Sequence, residues 1–304
     1  MTATVNEAVR RRVEIQFLGA FSVTVDGVPV RRWRAGKARQ LFQYLALHQD
    51  RILTRERLYE VLWPEAEWSA GRSSLKVAAH ALRQVLQARP EQQESCGIRL
   101  VHRDFGYVLH MDDATNDVAR FQRLVTAGLA SARDGRGADA ADALRGALAL
   151  YRGEFLPGEQ ADWIIEQREY LKCLALRALA ELRCQARARE DFPGLIELCR
   201  RTLEIDRHHE ETYRELMAAH GSRGELVQVR NWYELCARRL REELGVPPAR
   251  ETQRLLGSLL QSPDHPARPA ASAGPGMHRA RRAYPAVHGP ALASHTPHSS
   301  LAYR

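Results

Sequence analysis

Residues 70–87 carry charge of one sign, confined to one side of a predicted helix. Leu75, Ala78, Ala79, Leu82 and Leu86 recur at helical spacing and form a narrow apolar stripe. The opposite face holds Arg72, Ser73, Lys76, Val77, His80, Arg83 and Gln84, with Ser74 beside them, and no carboxylate falls between Gly71 and Arg89. A helix that rests in water usually mixes both signs, so this one is prepared for a polyanion. Its dimensions suit the major groove of DNA, where Arg, Lys and Ser read base edges and Val meets a thymine methyl. A predicted hairpin, 98–109, follows and offers Arg99, His102 and Arg103 as a wing along phosphates. An ordinary solvated helix face is the competing reading of the same residues.

The charge of the whole chain agrees with a nucleic-acid partner. Its 304 residues carry a net charge of +8, divided as +6 over residues 1–110, −2 over 111–260 and +4 over 261–304. A basic end segment beside a nearly neutral one fits a DNA reader joined to a regulatory module. Only three of the 45 cations are Lys, so the bias toward Arg also fits a GC-rich genome. The five cysteines form no CxxC pair, which argues against a metal site or a disulfide framework and for a reducing compartment. Cys173, Cys184, Cys199 and Cys236 read as packing residues. No apolar run is long enough to span a bilayer and no signal-peptide core follows Arg10. The expectation is a soluble cytoplasmic protein with no membrane contact.

In chain order, residues 1–12 read as a disordered basic lead-in. Stretches 13–18, 21–25 and 28–30 read as short strands around an Asp26-Gly27 turn. Arg31, Arg32, Arg34, Lys37 and Arg39 precede or open a helix at 37–48, either as phosphate contacts or as plain loop charge. Thr54 caps a second helix, 55–62, which Pro64 ends. Sheet, three helices and hairpin within about a hundred residues make a winged helix-turn-helix, 13–111. A polar joint at 112–117 leads to a mainly α region, 112–260, with helices at 161–189, 192–205, 210–220, 225–243 and 250–260 among others. Residues 190–198 answer 224–232 at an offset of 34, the tetratricopeptide period, so this region is read as stacked helix pairs. Trp163, Trp232 and Tyr233 read as repeat core. Residues 261–304, rich in Pro, Ala, Ser and His, cannot bury enough apolar surface to offset ordering entropy and are expected to be disordered.

Several motifs carry a resemblance. Residues 98–109, IRLVHRDFGYVL, resemble the wing of OmpR-type winged helices, with Leu100 where Thr is usual and Arg103 and Asp104 where Gly is common. Residues 81–86 are similar to the L-R-x-x-L end of that family's recognition helix, and 58–63 to the L-x-x-x-L-W that ends its second helix. Residues 152–158 (RGEFLPG), Asp162, Trp163, Glu166, Arg168, Leu171 and the segment 242–248 (EELGVPP) resemble the bacterial transcriptional activator domain. Together they resemble the short form of the Streptomyces antibiotic regulatory protein (SARP) family over about residues 13–260. That resemblance implies a pathway-specific activator binding direct repeats as a homodimer. It also implies recruitment of RNA polymerase through its σ factor and α subunit, at a gene cluster for antibiotic biosynthesis.

Enzymatic readings find no foothold. No Ser/His/Asp arrangement, paired carboxylates or Gly-rich phosphate cradle stands out, and Gly36-Lys37 lacks the preceding glycine of a P-loop. His208, His209, Glu210 and Glu211 are adjacent at a helix start and face different ways, against a metal site. No cofactor is expected. Base contacts fall to Arg72, Ser73, Lys76, Val77 and His80, with Ser74 also counted among the DNA-binding residues. Arg83, near the helix's far end, falls to a phosphate, as do Arg34, Lys37, Arg39 and the wing cations. A second function class stays open: a helical-repeat scaffold that binds a protein while its basic end tethers it loosely to any DNA.

Overall fold

The computed structural model describes residues 11–30, 36–66, 73–87 and 97–261. The expected disordered tail and nearly all of the expected lead-in lie outside these residues. Arg12, assigned to that lead-in, instead opens the first strand.

Strands β1 (Arg12–Gln16), β2 (Ser22–Val25) and β3 (Val28–Pro29) form the expected N-terminal sheet. Asp26 and Gly27 both take positive φ, 50° and 76°, as the tight turn of a twisted hairpin requires. Alternation sends Val13, Ile15, Val23 and Val25 to the buried face. The expected joint at 112–117 is largely a strand: β7 (Asp113–Asn116) runs parallel to β1, with Val13 opposite Ala114 and Ile15 opposite Asn116. The sheet order is β3-β2-β1-β7. Asp-Ala-Thr-Asn has no large apolar residue to mark it, so its pairing comes from the edge that β1 offers.

Three helices follow. These are α1 (Lys37–Leu47), α2 (Arg55–Leu62) and α3 (Ser74–Gln87). The Thr54 hydroxyl accepts from the Arg57 amide at 3.2 Å, capping α2. Leu41, Leu45, Leu58, Leu62, Ala79 and Leu82 are fully buried where these helices meet. The wing is β5 (Ile98–Arg103) and β6 (Gly106–Met111), widened by a third strand that sequence periodicity missed, β4 (Leu53–Thr54). Gly106 is required there: a Cβ would run into the Leu53 carbonyl oxygen.

The remaining described residues are mainly helical: α4 (Asp117–Arg133), α5 (Gly137–Leu150), α6 (Asp162–Ala188), α7 (Phe192–Ile205), α8 (Glu210–Gly221), α9 (Leu226–Arg239) and α10 (Arg250–Gln261). A π-helical segment, Leu240–Leu244, extends α9, and Gly245 at φ 71° ends it. The pairs α7–α8 and α9–α10 realise the 34-residue repeat. A core of Leu195, Cys199, Tyr213, Leu216, Cys236 and Leu240 joins the two pairs. Arg183 is buried here; it pairs with Glu215 at 3.0 Å and donates to Thr202 and Thr212. Cys199 and Cys236 pack as expected, whereas Cys173 and Cys184 are exposed on α6, correcting their assignment as packing residues. Their helical phase faces them away from Leu171, Ala175 and Leu182, which hold the core.

The winged-helix region and the first helices of the array share one hydrophobic core. The loop after α5 closes the N-terminal sheet. Phe155 stacks on Phe17 at 5.8 Å, the Leu156 amide donates to the Phe17 carbonyl at 3.0 Å, and the Gly19 amide donates to the Glu154 carbonyl at 2.9 Å. Arg168 on α6 fixes the loop through the carbonyls of Phe155, Leu156 and Glu159 at 2.8–3.0 Å. Trp163 belongs to this junction rather than to the repeat core: its ring meets Tyr44 of α1 at 5.1 Å and Phe155 at 6.2 Å.

Candidate nucleic-acid interface

Helix α3 packs by its stripe. Leu75, Ala78, Ala79, Leu82 and Leu86 are each no more than 7% exposed. That anchoring forces the residues between them outward. Ser73, Lys76, Val77, His80 and Gln84 are exposed, and Ser74 and Arg83 are half-buried. Val77, at 63% exposure, keeps its methyls in solvent. The Ser73 carbonyl accepts from the Val77 amide at 2.9 Å, so Ser73 stands at the mouth of the helix. His80 Nε2 lies 3.0 Å from the Gln84 side-chain amide, so the two present one paired hydrogen-bonding edge. Arg83 behaves differently from its neighbours. Its Nε donates to the Leu100 carbonyl at 3.4 Å and its guanidinium lies 5.9 Å from the Tyr107 ring centroid, tying α3 to the wing.

On the wing, Arg99, His102 and Arg103 are exposed. Arg99 makes a loose ion pair with Asp112 at 3.8 Å. Arg55, unremarked in the sequence, holds the wing from α2: Nη2 donates to the Asp104 carbonyl at 2.8 Å and approaches His102 Nε2 at 3.0 Å. Its backbone amide donates to the Phe105 carbonyl at 3.0 Å. A single arginine one residue after a helix cap gives no sequence signal of this, because its partners are carbonyls some fifty positions away.

The cations around α1 separate. Lys37 is exposed, with Nζ 3.2 Å from the Gln40 side chain and 5.8 Å from the Trp63 ring centroid. Arg39 points the other way. It pairs with Glu159 of the helical region at 3.7 Å and lies 5.1 Å from the Phe21 ring centroid, so its charge is spent at the junction and not on a phosphate-facing surface. Arg31, Arg32, Arg34 and Arg72 lie outside the described residues.

The histidine cluster at the start of α8 has structural employment. His208 Nε2 lies 2.9 Å from Glu243, and the Glu210 carboxylate accepts from the Ala249 amide and the Thr252 hydroxyl. Among the described residues no group of three His, Cys, Asp or Glu side chains could hold a metal, and no helix is long and apolar enough to cross a membrane.

Two family models match this chain. Residues 34–109 match the C-terminal domain of transcriptional regulatory proteins, and residues 116–260 match the bacterial transcriptional activator domain. The transcriptional regulatory protein EmbR of Mycobacterium tuberculosis is 30% identical over 148 residues, 49% of this chain and 37% of that protein. The regulatory protein AfsR of Streptomyces coelicolor is 30% identical over 261 residues, 80% of this chain and 24% of that protein. These sequence matches thus span well under half the length of either relative. A solved structure of M. tuberculosis EmbR in complex with a low-affinity phosphopeptide shares the fold, with a TM-score of 0.63 at 23% identity, over 83% of this chain and 65% of that one. An OmpR-type regulatory domain followed by a bacterial transcriptional activator domain, homologous to EmbR and AfsR, places the chain in the SARP family of transcriptional regulators.

Proposed function

We propose that the protein is a sequence-specific, DNA-binding transcriptional activator whose helix α3 reads base edges in the major groove. The observation that carries this is the outward row Ser73, Lys76, Val77 and His80 on a helix whose described residues include no carboxylate. Lys76 and the serines supply donors to guanine and adenine edges, and Val77 meets thymine methyls, with each good bidentate pair contributing about 1–3 kcal/mol of discrimination. Phosphate contacts from Arg103, His102, Arg99 and Lys37, with Arg34 by sequence position, supply most of the affinity and make it salt-dependent, while Arg72, by sequence position, joins the base contacts. Residues 13–111 form the reader and 112–260 the activator module. No enzymatic activity or cofactor enters this reading.

The finer reading follows the family. Two subunits bind direct repeats near a promoter in the cytoplasm, and the helical region meets RNA polymerase through its σ factor and α subunit. The target is a gene cluster for antibiotic biosynthesis. Selection from a random duplex pool, followed by genome-wide mapping of bound fragments, tests this. The expected result is one enriched motif in tandem copies upstream of such a cluster. Recovery of random sequence alone would instead establish the scaffold reading, because a tether binds promoter and random DNA alike.

A further inference from the structure

The wing ends in a residue that neither charge nor the core explains. Phe105 is 57% exposed at the hairpin tip, where Arg103 and Gly106 close the ladder around Asp104 and Phe105. It is one of ten large apolar side chains left in solvent among the described residues, and Val77 on α3 is another. The tip is not a loose loop. Arg55 takes both of its outward carbonyls, Asp104 through the guanidinium at 2.8 Å and Phe105 through the backbone amide at 3.0 Å. Neither Asp104 nor Phe105 has positive φ, so the bulky ring sits there without backbone strain. The ring is therefore held out on a braced support, with Arg103 and His102 exposed beside it.

We propose that Phe105 is an apolar wedge that the wing presses into the minor groove beside the major-groove site of α3. This rests on the reading of α3 as the base-reading helix. Arg83 fastens α3 to the wing strand at Leu100, so a duplex seated on α3 brings its flanking backbone to the wing. Arg103 and His102 grip the phosphates on either side, and the ring enters at a flexible pyrimidine–purine step. Apolar wedges of this kind partly unstack one step and kink the duplex by about 20–90°. Steps such as TA and CA unstack at least cost, so the wedge adds sequence preference at a position that no polar contact reads.

The test uses the full chain and a duplex carrying the motif selected by the wild type, labelled at both ends for energy transfer. The wild type is expected to bend it. Phe105→Ala, which removes only an exposed ring, is expected to bind about tenfold more weakly and to leave the duplex nearly straight. Phe105→Leu is expected to keep most of the bend. Placing the flexible step out of register is expected to weaken the wild type and leave Phe105→Ala unchanged. A wild type that selects a motif yet leaves it straight overturns the wedge alone. So does a Phe105→Ala variant that keeps both the bend and an affinity within about twofold. A wild type that selects no motif overturns the reading of α3 with it.

Discussion

Lys76 and Arg83 occupy one helix and do different work. Lys76 is exposed and Arg83 is half-buried against the wing. Replacement of Lys76 by Ala is therefore expected to lower the affinity for the selected motif by about 1–3 kcal/mol while leaving random DNA nearly as well bound, read from titrations against both duplexes. Arg83→Ala is expected to cost affinity for both, because it loosens the wing. The apolar stripe that turns both positions outward was legible in the sequence; the tie of Arg83 to the wing at Leu100 was not. Arg39 was not: its charge looked like part of a basic run, and only the position of Glu159, 120 residues away, turns it to the junction. The cysteines divide in the same way. Burial pushes the Cys199 and Cys236 thiols up to about 12. At pH 8 their thiolate fraction is then on the order of one in ten thousand. Native labelling with a thiol reagent, mapped by mass, is expected to modify Cys173 and Cys184 and to spare Cys199 and Cys236 until the chain unfolds. Labelling of Cys236 at the rate of Cys173 would contradict the packing described.

Elements with a long apolar period were readable; elements made by a neighbour were not. Helices α2 and α7 begin and end where cap and periodicity place them, with Thr54 and Asp191 supplying cap oxygens. Strands β4 and β7 are too short to carry an apolar period of their own, and exist because β6 and β1 offer open edges. Asp117, the first residue of α4, completes that edge: its carboxylate accepts from the amides of Phe17 and Leu18 at 2.9–3.0 Å. Asp117→Ala leaves those donors without their partner and is expected to destabilise the fold by about 1–3 kcal/mol in urea unfolding. Burial raises the Asp117 carboxyl above its ordinary value of 3.8 despite the amide bonds that lower it. A raised folded value means that the native state holds its proton longer. The stability it lends is complete below the ordinary value and declines as pH rises through the raised one. The deficit of Asp117→Ala is expected to be larger at pH 3.5 than at pH 6.5, and a deficit that grew with pH would contradict this.

At the scale of the molecule, the reader and the helical region are bound by a common core rather than hung on a linker. Phe17, Phe155, Tyr44 and Trp163 form a continuous aromatic contact across them. Chemical unfolding is therefore expected to show one transition for the winged-helix region and the first helices. Trp163→Ala, which opens that contact, is expected to cost about 3 kcal/mol and to separate the transitions seen by fluorescence and circular dichroism. The sequence marked this loop and Trp163 as family signatures, yet their job at the junction was visible only once the two regions were seen together.

The central claim is that the outward row of α3 distinguishes one sequence from another. It is tested most directly by the ratio of affinities for the selected motif and for random duplex, measured at one salt concentration for the wild type and for Lys76→Ala. A ratio on the order of a thousand or more for the wild type is expected, falling by about tenfold or more in the variant. A wild-type ratio near one, or a ratio untouched by Lys76→Ala, would contradict it.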